Sequence, residues 1–286
     1  MTDTVSVWGG DRLDLDAYLA RIGYQGGREP TLDALRLLHA RHSASIGFEN
    51  VDVVLGRSIH LDLESLQTKM IDRHRGGYCY EQNLLYAAAL DRFGFRVRGL
   101  GARIRMGDDR LRPVTHALLE VELGGENFLT DVGFGGSALP APLPLRDGIE
   151  VRQGGWDFAL SYETDAEVWA LRTRTEDGWT DLYAFGPERR FPVDYAVFHH
   201  YISTHPRSPF IRRLVVQRPL PELRSALIGR ELTRTRPDFS REVRRIAPEE
   251  TPELLETEFG ITLSAPDAEA LIAFQERAGD AAGDTP

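Results

Sequence analysis

The 286-residue chain has one cysteine, Cys79, within "DRHRGGYCYEQN" (72 to 83). A thiol becomes a reagent only as a thiolate, with a base to make it and a third group to aim that base. Gly76 and Gly77 precede Cys79, and the helical text "EQNLLYAAALDRF" follows. Cys79 is therefore expected in the first turn of a helix, where free amide N–H groups and the helix dipole favour an anion. Of the eight histidines, His39, His42, His60 and His74 fall in helical text, and His199, His200 and His205 crowd one late segment. His116 alone opens a clean strand. In "THALLEVELGGENFLTDVGFGG" (115 to 136) two alternating runs flank Gly124 and Gly125, the mark of a tight hairpin. Burying Leu119, Val121 and Leu123 on one face brings Phe128, Thr130 and Val132 with them, because strand register has a period of two. A two-residue turn then opposes Leu118 to Asp131 and makes His116 the diagonal neighbour of Asp131, about 7 Å away and within side-chain reach.

Taken singly, each residue has a more ordinary reading. A lone cysteine is commonly a buried filler, a histidine facing a carboxylate is commonly structural, and Thr-Asp at a strand end is commonly turn chemistry. Together they supply nucleophile, base and orienting group, the parts of a cysteine peptidase or an acyl transferase. A non-catalytic module that keeps the fold is the third class. A zinc site is not expected, because one cysteine among scattered histidines lacks paired ligand spacing.

Four helices precede these strands in the sequence pattern: 11–23, 31–43 behind Pro30 and Thr31, 61–71, and one from the cysteine to Gly94. From residue 95 the period changes to two, in "FRVRGLGARIR", "HALLEVEL", "NFLTDVGF", "DFALSYE", "VWALRTRT" and "DLYAFG". That pattern suggests a barrel or sandwich. "RFPVDYAVFHHYISTHPRSPF" (190 to 210) returns toward helix, "FIRRLVVQR" and "ELTRTR" read as strands, and helices are expected near 248–258 and 266–277. Residues 278–286 read as a frayed tail.

Composition sets outer limits. Apolar residues make up 42% and charged residues 27%, ordinary for a soluble fold, and no apolar run approaches the ~20 residues of a membrane span. A net charge of −10 leaves no general footprint for nucleic acid. The arginines in "FIRRLVVQR" and "REVRRI" read as solvated faces, with a basic mouth for a phosphate-bearing cofactor as the other reading. The N-terminus carries acids where an export signal carries Lys or Arg, and one cysteine cannot form an intrachain disulfide, so a cytoplasmic protein is expected.

"RGGYCYEQN", "THALLEV" and "DVGFG", in this order and spacing, resemble the arylamine N-acetyltransferase family. "YLARIGY", "SIGFENVDVVLGR", "YISTHPRSPF" and "FGITL" extend the resemblance over nearly the whole chain. The resemblance implies an α+β fold of three parts: an N-terminal helical bundle (1–94), a central β-barrel (95–195) and a C-terminal α/β lid (196–286). It implies Cys79 as nucleophile, His116 as base and Asp131 as orienting group. Acetyl-CoA would acylate the cysteine, and an arylamine, hydrazine or arylhydroxylamine would take the acyl group; no metal, membrane or nucleic acid is implied, and homo-oligomers are left open. Phe48, Ile104, Phe134 and Tyr201 would line the acceptor site, Thr115 and Gly135 would meet the donor arm, and Arg75 with Glu49 would support the cysteine loop. Gly47 stands where the family carries Pro, and a histidine at 199 or 200 where it carries Asn, which bears on acceptor choice. Relatives that close macrolactam rings with polyketide chains give the alternative reading.

Overall fold

The computed structural model describes residues 6–108 and 110–283, without the side chains of 279–283. Helices α1 (Leu15–Ile22) and α2 (Leu32–Ser45) begin on Asp14 and Thr31, whose side chains accept the Ala17 and Ala34 amides. A two-residue strand β1 (Phe48–Glu49), helix α3 (Val51–Val54) and helix α4 (Leu63–Gln67) follow, and α4 runs into a π-helical turn at Thr68–Asp72. Helix α5 (Cys79–Arg92) is buried on nearly every side at the centre of this bundle.

Eight antiparallel strands come next: β2 (Arg96–Ile104), β3 (Val114–Leu123), β4 (Glu126–Thr130), β5 (Leu143–Pro144), β6 (Ile149–Gln153), β7 (Trp156–Glu163), β8 (Val168–Thr175) and β9 (Gly178–Phe185). They form one sheet in the order β5-β4-β3-β2-β9-β8-β7-β6. Its two end strands are joined by only residues 145–148. A flat eight-stranded sheet would set them about 34 Å apart, beyond the reach of so short a link, so the sheet must curl. It is a curled half-barrel and not a closed barrel: β5 and β6 do not pair among the described residues. Pro144, half of β5, has no N–H to extend the ladder.

The Gly124–Gly125 turn is as the sequence reading expects. Both glycines have positive φ, 62° and 82°, which a two-residue hairpin of this twist requires. Leu123 pairs with Glu126 and Leu119 with Thr130. Both faces of this hairpin are buried, one more than the alternation argument used. Ala117, Leu119, Val121, Phe128 and Val132 pack into the bundle core with α5, while Leu118 and Leu129 enter the sheet's own interior with Leu100, Phe158 and Leu182. One hairpin is thus shared by two cores, which fixes the helix carrying Cys79 against the strand carrying His116.

Helix α6 (Pro192–Thr204) runs across the boundary expected at 195/196. A second antiparallel sheet follows, from β10 (Val215–Pro219), β11 (Arg224–Ile228), β12 (Glu231–Thr235) and β13 (Arg241–Arg245), with β1 of the bundle as its fifth strand against β10. Helices α7 (Thr251–Thr257) and α8 (Ala265–Gly283) cover it around Leu214, Val216, Leu255 and Phe259. Strand β10 is shorter than "FIRRLVVQR" suggests because Asn50 gathers the preceding residues into a turn: it donates to the Phe210 and Arg213 carbonyls and accepts from the Val215 amide. Alanine-rich text carries α8 on to Gly283 where a frayed tail was expected from 278, and residues 284–286 lie outside the described residues.

Candidate active site

Cys79 is the first residue of α5. The Glu81 carboxylate accepts the Tyr78 N–H at 3.1 Å and is held by Lys69 at 2.7 Å, so the turn around the cysteine is braced from within. Gly77 and Gly47 lock that turn to the Phe48 segment: the Gly77 amide donates to the Gly47 carbonyl, Glu49 N–H donates back to Gly77, and Gln82 bonds both carbonyls. Gly47 is therefore a fixed point and not a loose substitute for proline. Beneath it, Arg75 pairs with the buried Glu49 at 2.7 Å.

His116 and Asp131 meet as the register argument expects. His116 Nε2 lies 2.7 Å from Asp131 Oδ2, and both side chains are almost wholly buried. Nε2 being engaged, Nδ1 is the nitrogen left for the sulfur. Burial opposes a charged ring, but the hydrogen-bonded Asp131 carboxylate and then the nearby Cys79 sulfur outweigh it and raise the His116 pKa to about 10. Burial would by itself raise Asp131, yet the charge and hydrogen bond of His116, with donors from Asn83 and the Gly133 amide, hold it below the usual carboxylate range. The cluster is suited to a thiolate facing an imidazolium.

The remaining expected residues divide. Phe134 comes to the triad: its ring centroid is 5.2 Å from that of His116. Gly135, at φ +88°, brings its backbone against Phe48; an added Cβ would lie 3.3 Å from the Phe48 ring. Gly133 lies on the nucleophile itself, where a Cβ would sit 2.7 Å from Cys79 Cα. Phe48 packs against Phe210 at 5.9 Å. Thr115 adjoins His116 and is half-buried, its hydroxyl donating to the Pro113 carbonyl at 3.4 Å. Ile104 packs on the half-barrel interior and also lines a cavity of about 740 Å³ with Arg103, Val114 and Phe185. Tyr201 stacks on His205 at 4.5 Å and packs on the bundle core that includes Cys79. Its neighbour His199 instead meets the cysteine segment, bonding the Tyr78 hydroxyl through Nδ1 and donating from Nε2 to the Ile59 carbonyl.

Sequence reasoning misses three groups here. Asn83, one helical turn after Cys79, donates to Asp131 Oδ1 and to the Ala117 carbonyl (2.7 Å) and accepts the Val132 amide; its i+4 spacing from the cysteine is a signal that could have found it. Buried His39 accepts the Asp131 amide at 3.4 Å, and burial lowers its pKa to about 4, so it stays neutral. Arg224 is far away in sequence. Its guanidinium lies 3.6 Å from the Trp156 ring centroid, one nitrogen is buried without a hydrogen-bond partner, and it has no ion pair among the described residues. Burial lowers its pKa to about 9. It lines a cavity of about 340 Å³ with Gly136, Ser137, Gln217, Thr173 and Thr235. No group of three or more His, Cys, Asp or Glu is placed to hold a metal among the described residues.

Residues 31–268 match the family model described as N-acetyltransferase. The arylamine N-acetyltransferase of Mycolicibacterium smegmatis is 37% identical over 257 residues, spanning 88% of this chain and 93% of that protein. The crystal structure of Nocardia farcinica arylamine N-acetyltransferase superposes with a TM-score of 0.91 at 43% identity, covering 96% of this chain and all of that one. Mycobacterium marinum arylamine N-acetyltransferase in complex with CoA gives a TM-score of 0.87 at 34% identity, covering 93% and 99%.

Proposed function

The chain belongs to the arylamine N-acetyltransferase family, and from that premise we propose that it moves an acetyl group from acetyl-CoA to the nitrogen of an arylamine or arylhydrazine through a thioester on Cys79. The observation that carries this reading is the buried His116–Asp131 pair with its free nitrogen beside the sulfur. In the first half, the Cys79 thiolate attacks the donor's thioester carbonyl. The carbon–sulfur bond to CoA breaks, and the His116 imidazolium gives its proton to the departing thiolate. In the second half, the amine nitrogen attacks the Cys79 thioester, neutral His116 takes its proton, and the thiolate leaves as the amide forms. Asp131 keeps the ring oriented and favours its charged form throughout.

Cys79 is 6% exposed, with the Gly133 backbone directly against it. Such confinement favours an acetyl or short acyl group over a polyketide chain. The loop 133–137 leads from the Cys79 backbone to the Arg224 cavity, about 14 Å at full stretch for four residues. A guanidinium desolvated without a counter-ion is suited to bind an anion, and the donor's phosphates are the anions this reaction offers. Intact-mass measurement tests the function: acetyl-CoA should add one acetyl group, mapped to Cys79, and an aniline should remove it. Failure to acetylate with acetyl-CoA, but loading by a long-chain N-acetylcysteamine thioester, would favour the macrolactam-forming alternative.

A further inference from the structure

Strand β4 ends at Thr130, whose pairing with Leu119 is the last rung of its ladder with β3. The next three residues, Asp131, Val132 and Gly133, are buried, so their amide N–H groups cannot turn to water for a partner. A side chain takes each of them instead. Asn83 Oδ1 accepts from Val132 at 3.3 Å, Asp131's own Oδ1 accepts from Gly133 at 3.0 Å, and His39 Nε2 accepts from Asp131 at 3.4 Å. The turn so held aims Asp131 Oδ2 at His116, sets Gly133 against the Cys79 backbone and carries Phe134 to the His116 ring. Two of these acceptors belong to the triad or to its helix α5. His39 comes from α2, which supplies none of the reacting groups. Its ring is 0% exposed and stands at 83° to that of Tyr86, with centroids 6.1 Å apart. The titratable groups around it are Asp131, His42 and Tyr86. An imidazole accepts through Nε2 only when it is uncharged and its one proton sits on Nδ1. Burial keeps this ring uncharged, and the Pro140 carbonyl favours a proton on it; Nδ1 has no other hydrogen-bond partner among the described residues.

We infer that His39 is a positioning residue for the acyl transfer: by accepting the Asp131 amide it fixes the turn that aims the Asp131 carboxylate at His116. The inference rests on the reading of Cys79, His116 and Asp131 given above. What matters is an acceptor at the position of Nε2. His39→Gln places an amide oxygen there, with an N–H donor beside it, and should keep the effect. His39→Leu fills similar space, accepts nothing and leaves the Asp131 N–H buried without a partner, so it should lose it.

The decisive measurements are kcat, both KM values and the pH dependence of Cys79 alkylation by iodoacetamide. His39→Leu should lower kcat about tenfold or more and leave both KM values within about twofold. It should also move the alkylation inflection to higher pH, because a carboxylate out of line supports the imidazolium, and through it the thiolate, less well. His39→Gln should recover most of kcat and the parent inflection. Parent kcat and inflection in His39→Leu overturn the inference, as does a glutamine variant as impaired as the leucine one, which would make His39 a space-filling residue. Should the leucine variant not fold, the parent protein supplies the test: nitrogen-15 NMR of labelled histidine should show His39 protonated on Nδ1 and bare on Nε2, and the opposite tautomer overturns the inference. A parent enzyme that shows no thiolate near neutral pH would instead overturn the underlying cysteine–histidine assignment, whatever the His39 tautomer.

Discussion

Asn83 donates to Asp131 Oδ1 at 3.1 Å from the helical turn immediately after Cys79. The same amide group donates to the carbonyl of Ala117, the residue after His116. One side chain therefore ties the nucleophile's helix to both strands that supply the other two groups. Asn83→Leu should leave the fold standing but reduce kcat by about 10²-fold, since small misplacements of catalytic groups have that effect. A kcat lowered by that factor in a protein that still folds, with a reduced thermal midpoint because the Ala117 carbonyl and Val132 amide lose their partner, is the expected pattern; wild-type kcat would show that the three groups hold their places without it.

Cys79→Ala should abolish acetyl uptake, and Asp131→Asn should lower turnover by about 10⁴-fold by stabilising the wrong imidazole tautomer. Intact mass and steady-state rates check both. Near-normal turnover in Asp131→Asn would mean that His116 is aimed by something else.

How much of this was readable in the sequence follows from the range of each interaction. The Gly124–Gly125 turn and the period of two place His116 beside Asp131 because a hairpin is a local object, and the register observed is the register expected. The N-terminal position of Cys79 on its helix is equally local. What brings Cys79 to His116 is the apolar outer face of β3, whose Leu119 and Val121 pack with α5, and alternation within one strand cannot say which partner covers a face. Tyr183, whose ring lies 5.1 Å from that of His116, comes from strand β9 beyond β2, and Arg224 depends on stacking against Trp156 from another sheet. Neither leaves a mark in local spacing. Strands β6 and β11 were missed for a related reason: each is five residues long, and its partners, not its own text, make it a strand.

Replacing Arg224 should separate donor binding from chemistry. Arg224→Met should raise KM for acetyl-CoA about tenfold or more, consistent with loss of one charge-assisted contact, with kcat little changed. A phosphate-free donor such as acetyl-N-acetylcysteamine should be used equally well by variant and parent. Equal losses with both donors would make Arg224 a packing residue stacked on Trp156 and remove it from the donor site.

The buried Arg75–Glu49 pair should matter to stability before it matters to rate. Glu49 is 0% and Arg75 6% exposed, and the pair lies under the Gly47–Gly77 contact that holds the cysteine turn. Arg75→Met strands a buried carboxylate, which should destabilise by about 3–5 kcal/mol, whereas replacing both partners with apolar residues should recover much of the loss. Denaturant unfolding of the two variants checks this. Equal destabilisation by the single and double changes would show that the ion pair itself, and not an uncompensated charge, is what the fold needs.

Acid and alkali should act on different histidines. His116 has a folded pKa near 10, above the ordinary 6.5, so its charged form contributes stability fully below about 6.5, and that contribution is lost as pH rises through about 10. His39 and His42 run the other way. Burial depresses them to about 4 and about 3, so the stability they support is present above 6.5 and is lost as pH falls toward those values. A ring-carbon NMR titration of labelled histidine should therefore show one resonance, absent in His116→Gln, turning over near 10. Two others, assigned by His39→Gln and His42→Gln, should stay neutral down to acid unfolding. Asp131→Asn should draw the high inflection sharply down, because the carboxylate is the strongest influence raising it. An inflection near 6.5 for His116 in the parent protein would mean that the ring sees neither Asp131 nor the sulfur as a charge partner, and the ion-pair chemistry assigned to Cys79 would have no base to run on.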